Sequence, residues 1–211
     1  MKLTVFGATG RTGKEVVRQA LDAGHQVTAV VRDPARLSIS HSALQVITAD
    51  VTGPDALRPA LAGRDAVISA LGPNSRGEAG IASAALGSIL RAMETNDVRR
   101  LVVLSAVPAG PLPEGEPFIY RSVVLPLLKR LLREVYADLG AMEEEVRRSP
   151  VEWTIVRPPR LTDKPYTGTY RRVVGGNVSR GRFISRADLA HAMLSFLDDP
   201  ATVKQAVGVA Y

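Results

Sequence analysis

Gly7, Gly10 and Gly13 separate a short apolar run, Lys2 to Phe6, from a segment in which Val16, Val17, Ala20 and Leu21 recur at helical spacing. The pattern restricts the chain severely, because a buried strand must turn at once into a helix whose first amides carry no side-chain cover. Gly7 lets the chain leave the strand, Gly10 keeps a side chain away from whatever the amides bind, and Gly13 lets the helix pack close to the sheet. Gly24 is a natural stop for that helix, and Val27 to Val31 supplies the next buried strand. A bare helix N-terminus in such a strand–helix–strand unit is an anion site and predicts dinucleotide binding. The spacing is G-x-x-G-x-x-G, not G-x-G-x-x-G, so the context carries the expectation against an ordinary strand-to-helix turn.

The end of the second strand reads Val31-Arg32-Asp33-Pro34-Ala35-Arg36. An acid at this point suits the ribose hydroxyls of NAD, whereas a 2′-phosphate needs arginine. Arg32 and Arg36 therefore predict NADPH, with Arg11 at the helix start as a third guanidinium, or else all three are solvated surface arginines. Asp33 is the one residue there that favours the other cofactor.

Alternation continues along the chain. Leu44 to Thr48, Ala66 to Ala70, Leu101 to Leu104 and Trp153 to Val156 read as strands; Pro54 to Leu61 and Ile81 to Glu94 read as helices. Ser185-Arg-Ala-Asp188 resembles a capping box opening a helix through Leu197. The order predicts an α/β, doubly wound parallel sheet, Rossmann-like, in a single domain over residues 1–211. Ligands bind beyond the carboxyl ends of such strands, which selects Asp50 and Val51, Leu71-Gly72-Pro73, Ser105-Ala106 and Pro158-Pro159-Arg160.

A chain of 211 residues with 45% hydrophobic content can bury one substantial core. It has no cysteine, so a disulfide framework, a thiolate nucleophile and a zinc knuckle are excluded. The net charge is +6, yet aromatic residues make up only 5% and no nucleic-acid reader motif organises the arginines, so an anionic cofactor is the simpler partner. No apolar run reaches the length of a membrane span and the first strand begins without a leader; a cytoplasmic protein, monomer or homodimer, is expected.

The ordered set Gly7-Ala-Thr-Gly10-Arg-Thr-Gly13, Val31-Arg32-Asp33 with Arg36-Leu37, Asp50-Val51, Asp65-Ala66-Val67-Ile68, Leu71-Gly72, Ser105-Ala106, Pro158-Pro159, Pro165-Tyr-Thr-Gly168-Thr-Tyr170 and Ile184-Ser185 with Asp188-Leu189 resembles the atypical short-chain dehydrogenase/reductase family. Within it, the biliverdin-IXβ reductase/flavin reductase group is the most similar. The resemblance implies that Gly7, Thr9, Gly10, Arg11 and Thr12 line the pyrophosphate, with Gly13 behind them. It places Arg32 and Arg36 on the 2′-phosphate, Asp50 and Val51 on the adenine, Leu71 and Gly72 on the adjoining cofactor edge, and Ser105 near the nicotinamide, and it counts Pro158 among the cofactor-binding residues.

Ordinary short-chain dehydrogenases use Tyr-x-x-x-Lys, in which the lysine lowers the phenol pKa for proton exchange. Here Tyr136 is followed by Gly140, and Tyr136 reads as part of the apolar face of its own helix. Flavin and tetrapyrrole reductases of the resembling group tolerate this loss, since a conjugated ring accepts hydride directly and solvent supplies the proton. The expected function is an NADPH-dependent reductase of a flavin or similar conjugated acceptor. The rivals are a non-catalytic NADP(H)-sensing regulatory protein and, less favoured, a sugar-nucleotide epimerase or dehydratase. Ser105 is either a partner of the carboxamide or acceptor, or a strand-end hydroxyl bonded to backbone. Arg160 replaces a histidine of the biliverdin reductases, and either holds an anionic acceptor or forms an ion pair at the rim.

Residues 108–136 depart most from the family. Pro108, Pro111, Pro113 and Pro117 predict an irregular loop, followed by a helical stripe of Leu127, Leu128, Leu131, Leu132, Val135 and Tyr136 opposed by Lys129, Arg130 and Arg133. A packing helix, a lid or dimer contact over the acceptor pocket, and a membrane-surface helix all remain open. Glu143 with Arg147 and Glu144 with Arg148 read as surface ion pairs, and His25, His41 and His191 carry no metal-ligand spacing.

Overall fold

The computed structural model describes residues 1–72, 80–111, 116–118 and 120–211; Pro73 and Pro113 lie outside them. Eight strands form one sheet: β1 (Lys2–Phe6), β2 (Gln26–Val31), β3 (Leu44–Thr48), β4 (Ala66–Ser69), β5 (Arg100–Leu104), β6 (Glu152–Arg157), β8 (Arg171–Val174) and β10 (Gln205–Ala210). Their spatial order is β3-β2-β1-β4-β5-β6-β10-β8. Every pairing is parallel except that of β8 with β10. β7 (Arg160–Thr162) and β9 (Phe183–Ser185) make a separate parallel pair.

The central strands are buried on both faces, as their unbroken runs of Val, Ile, Leu and Ala require. Helices α1 (Arg11–Asp22) and α6 (Arg186–Ser195) cover one face; α2 (Pro54–Leu61), α3 (Ile81–Thr95) and α5 (Arg133–Arg148) cover the other. The α1 face buries Val16, Val17, Ala20 and Leu21, the spacing read from the sequence, and Gly24 ends the helix at φ 80° with its N–H on the Leu21 carbonyl at 2.9 Å. The strand order reverses between β1 and β4, so the crevice for a ligand opens where Gly7 follows β1 and Ala70 follows β4.

Two expectations need correction. The stripe from Leu127 to Tyr136 is not one helix: a π-helical turn, Tyr120–Val124, runs into α4 (Leu125–Leu131), and Leu132 at φ −116° breaks the path before α5. The two pieces therefore present different faces; Leu125 is buried, while Leu127 and Leu131 are exposed. The sheet also continues past β6 through β10 and β8, strands that sequence periodicity did not show. Among the described residues no helix is long and apolar enough to cross a membrane.

Candidate functional site

At the β1–α1 turn each glycine answers a steric demand. Gly7 has φ 75°, and a Cβ there would lie 2.7 Å from the carbonyl carbon and oxygen of Ala70. A Cβ on Gly13 would lie 2.1 Å from the Gly7 oxygen, so α1 sits as close to the turn as a glycine permits. The Gly10 amide donates to the Gly7 carbonyl at 2.9 Å and opens α1 without a side-chain cap or an acid in the first turn. The uncapped amides and the positive end of a twelve-residue helix thus face the cleft unopposed.

That cleft is lined by Gly7, Thr9, Gly10, Arg32, Arg36, Asp50, Val51, Leu71 and Gly72, together with Val30, Val31, Thr52 and Ala70. Nine of the residues expected from sequence are therefore brought to one surface. The Asp33 carboxylate is turned into the 3₁₀ turn Pro34–Arg36, accepting from the Ala35 amide at 3.0 Å. The Asp50 carboxyl lies below its ordinary pKa because the Thr52 amide and hydroxyl donate to it, at 2.9 and 2.8 Å, with the Arg32 charge nearby. Arg11 stands apart from Arg32 and Arg36: its guanidinium pairs with Asp163 at 3.0 Å, and Arg186 meets the same carboxylate at 2.6 Å. Thr12 is buried beneath the turn.

The second half of the crevice lies past β5 and β6. Ser105 is buried, and its hydroxyl donates to Glu143 Oε1 at 2.6 Å, not to backbone. Glu143 is only 1% exposed and also accepts from both Nε (2.9 Å) and Nη2 of Arg157, which is 3% exposed, and from Arg147 at 2.8 Å. The expectation of a surface pair at Glu143 is thus overturned: the α5 face that buries Leu139, Met142 and Val146 carries Glu143 inward with them. Glu144 with Arg148 is the exposed pair expected. Burial pushes the Glu143 carboxyl up, but the hydrogen bonds from Arg157 and Ser105, the Arg157 charge and the Arg147 bond outweigh it and hold the group below its ordinary value. Glu143, Arg157 and Asp138 are site-building residues that the sequence reading missed. Asp138, also buried, accepts from the amides of Ala82 and Ser83, both at 3.1 Å, and so caps α3, whose own N-cap is Gly80.

Outside this network lies a largely apolar cavity of about 410 Å³ lined by Ala106, Val107, Pro108, Val124, Leu128, Tyr136, Pro158, Pro159, Arg160, Gly181 and Arg182. Pro158 and Arg160 therefore line the same cavity as Tyr136 and Ala106, the residue that follows Ser105. Among the described residues no carboxylate forms an ion pair with Arg160, while Arg182 meets Glu116 at 3.5 Å.

A family described as NAD(P)H-binding matches residues 7–200, from the first glycine of the cradle to the turn before β10. The chain belongs to the NAD(P)H-binding family. One member-like relative, a UPF0659 protein of Schizosaccharomyces pombe, is 28% identical over 94% of this chain and 85% of its own length. The fold of this NAD(P)H-binding protein is also that of a wide-type short-chain dehydrogenase/reductase of Veillonella parvula, in complex with NADP. The two superpose with TM-score 0.82 at 20% identity, over 100% of this chain and 94% of that one. A Streptococcus pneumoniae protein described as a candidate NADH-flavin reductase superposes with TM-score 0.77 at 22% identity, over 100% and 99%. The residues present fit a nicotinamide dinucleotide on their own geometry: side chains are excluded at Gly7 and Gly13, Gly10 faces the cleft, and the helix dipole points into it.

Proposed function

We propose that this NAD(P)H-dependent oxidoreductase takes NADPH and reduces a flavin or a similar conjugated ring seated beside Ser105. The observation that carries the cofactor preference is the placement of Arg32 and Arg36 on the same cleft as the glycine cradle, with the Asp33 carboxylate spent on the Ala35 amide. Arg32 and Arg36 hold the 2′-phosphate; Gly7, Thr9, Gly10 and the first-turn amides of Arg11, Thr12 and Gly13 hold the pyrophosphate. Asp50 and Val51 border the adenine, and Leu71, Gly72 and Pro158 flank the nicotinamide end. When bound, NADPH supplies a hydride; the protein orients two flat molecules and keeps water from between them. Ser105 has committed its proton to Glu143, so toward a ligand it accepts, for example from a carboxamide N–H. Arg160 holds an anionic group of the acceptor at the cavity rim.

Two measurements test the reading. Arg32→Ala and Arg36→Ala each remove a charge-assisted contact worth about 1.5–3 kcal/mol, roughly 10- to 100-fold in NADPH affinity, and should leave NADH affinity nearly unchanged; equal losses for both cofactors would refute the 2′-phosphate assignment. NADPH oxidation followed with FMN, FAD, riboflavin, biliverdin and quinones tests the acceptor class. Tight NADPH binding with no turnover by any of them would instead support the sensing protein, the reading that the Tyr136–Gly140 spacing also suits.

A further inference from the structure

The π-helical turn Tyr120–Val124 and α4 leave an apolar ridge in solvent. Leu125 packs inward, and Val124 and Leu128 wall the acceptor cavity. Turned away from the body are Phe118, Leu127, Val123 and Leu131, exposed by 79%, 65%, 57% and 57%. Val123, Leu127 and Leu131 follow at four-residue intervals and so form one line along the segment. Beside them stand the exposed cations Arg121, Lys129, Arg130 and Arg133, and the sequence holds no acid between Glu116 and Glu134. Four large apolar side chains in water are costly, and the flanking charge is of one sign. A second copy docked through this face about a two-fold axis would set these cations against their own counterparts. An anionic surface is the complementary occupant.

We propose that this ridge seats the protein on an anionic membrane surface, with Phe118, Val123, Leu127 and Leu131 entering the headgroup–acyl boundary and the four cations remaining at the lipid phosphates. Because Val124 and Leu128 belong to the same segment, seating it brings the acceptor cavity to the bilayer. Where the reductase reading holds, on which this step rests, the acceptor class narrows to a lipophilic conjugated ring taken from the membrane with its anionic group at Arg160.

The full chain is sedimented with phosphatidylcholine vesicles with and without phosphatidylglycerol. Binding is expected only to the anionic vesicles and is expected to fall with salt. Leu127→Glu/Leu131→Glu should abolish binding while NADPH affinity and circular dichroism stay those of the parent, since both side chains lie outside the cavity and the cofactor cleft. Lys129→Gln and Arg130→Gln should each lower partitioning roughly fivefold. Failure to bind anionic vesicles, or equal binding by Leu127→Glu/Leu131→Glu, would overturn the proposal. So would a concentration-dependent dimer by light scattering that this variant dissolves, which would assign the ridge to a second copy. NADPH oxidation by FMN without vesicles reports on the reductase reading separately.

Discussion

Glu143→Ala should be among the most damaging single changes in this chain. The carboxylate is buried between Ser105 and Arg157, and its removal strands a guanidinium that is itself 3% exposed. Breaking a buried pair from one side costs about 3–5 kcal/mol, a large share of the roughly 5–15 kcal/mol that holds a domain folded. Arg147 adds little, being half in solvent. Gly110 makes relief harder, because its backbone lies so near the guanidinium that a Cβ there would fall 2.2 Å from Arg157 Nη1. Urea unfolding of Glu143→Ala, Arg157→Met and the double variant measures the pair directly. The double variant should be more stable than Glu143→Ala alone, with a coupling of about 2–3 kcal/mol. Strictly additive losses would refute the description of a buried, mutually dependent pair. The fold holds the Glu143 carboxyl below its ordinary 4.5, so its contribution is complete above that pH and is lost as the pH falls through the lowered value. The acid limb of a stability profile should therefore flatten in the variant, on top of the separate loss from Asp188. The Asp188 carboxylate is buried, but its bonds from Tyr211, Thr167 and Gly168 hold it low as well.

Asp138→Ala should cost about 0.5–2 kcal/mol by leaving the Ala82 and Ser83 amides without their cap, measurable by the same unfolding titration. Gly13→Ala should cost about 1–3 kcal/mol and lose NADPH binding, because all three atoms its Cβ would strike are backbone and α1 must retreat from the cradle; wild-type affinity in that variant would contradict the close packing. Gly140→Ala meets nothing within 4 Å in the interior of α5 and should stabilise by about 0.5–1 kcal/mol.

The cleft of glycines and arginines was legible because it is written in local sequence. Gly7, Gly10, Gly13, Arg32 and Arg36 act through turn geometry and strand ends, and the structure brings all but Gly13, which packs behind, to one cleft. Arg11 shows the limit of that reading: Asp163, distant in sequence, supplies a partner that proximity along the chain does not reveal. Glu143 was hidden by the opposite error. Its i,i+4 arginine is real, but the helical phase of Leu139, Met142 and Val146 also places it on the inward face, and phase decides burial. β10, Gln-Ala-Val-Gly-Val-Ala, has little intrinsic strand preference. It is held by pairing on both sides, and at Gly208 a Cβ would sit 2.6 Å from the Asn177 Cα. Such strands are specified by neighbours, not by their own residues.

On the reductase reading, the network around Ser105 also bears on how protons reach an acceptor. Ser105 donates to Glu143, whose carboxyl is held below its ordinary value, and Tyr136 has glycine where a pKa-lowering lysine would stand. Turnover with an acceptor that does not itself ionise should therefore be flat between about pH 6 and 8, with the proton drawn from solvent. Tyr136→Phe should keep kcat within about twofold of the parent, since the phenol lends the cavity a ring and not a proton. A bell-shaped profile whose alkaline limb disappears in Tyr136→Phe would show that the phenol transfers the proton after all. It would return the site to the general-acid chemistry of the lysine-assisted enzymes, with some group other than residue 140 lowering the tyrosine pKa.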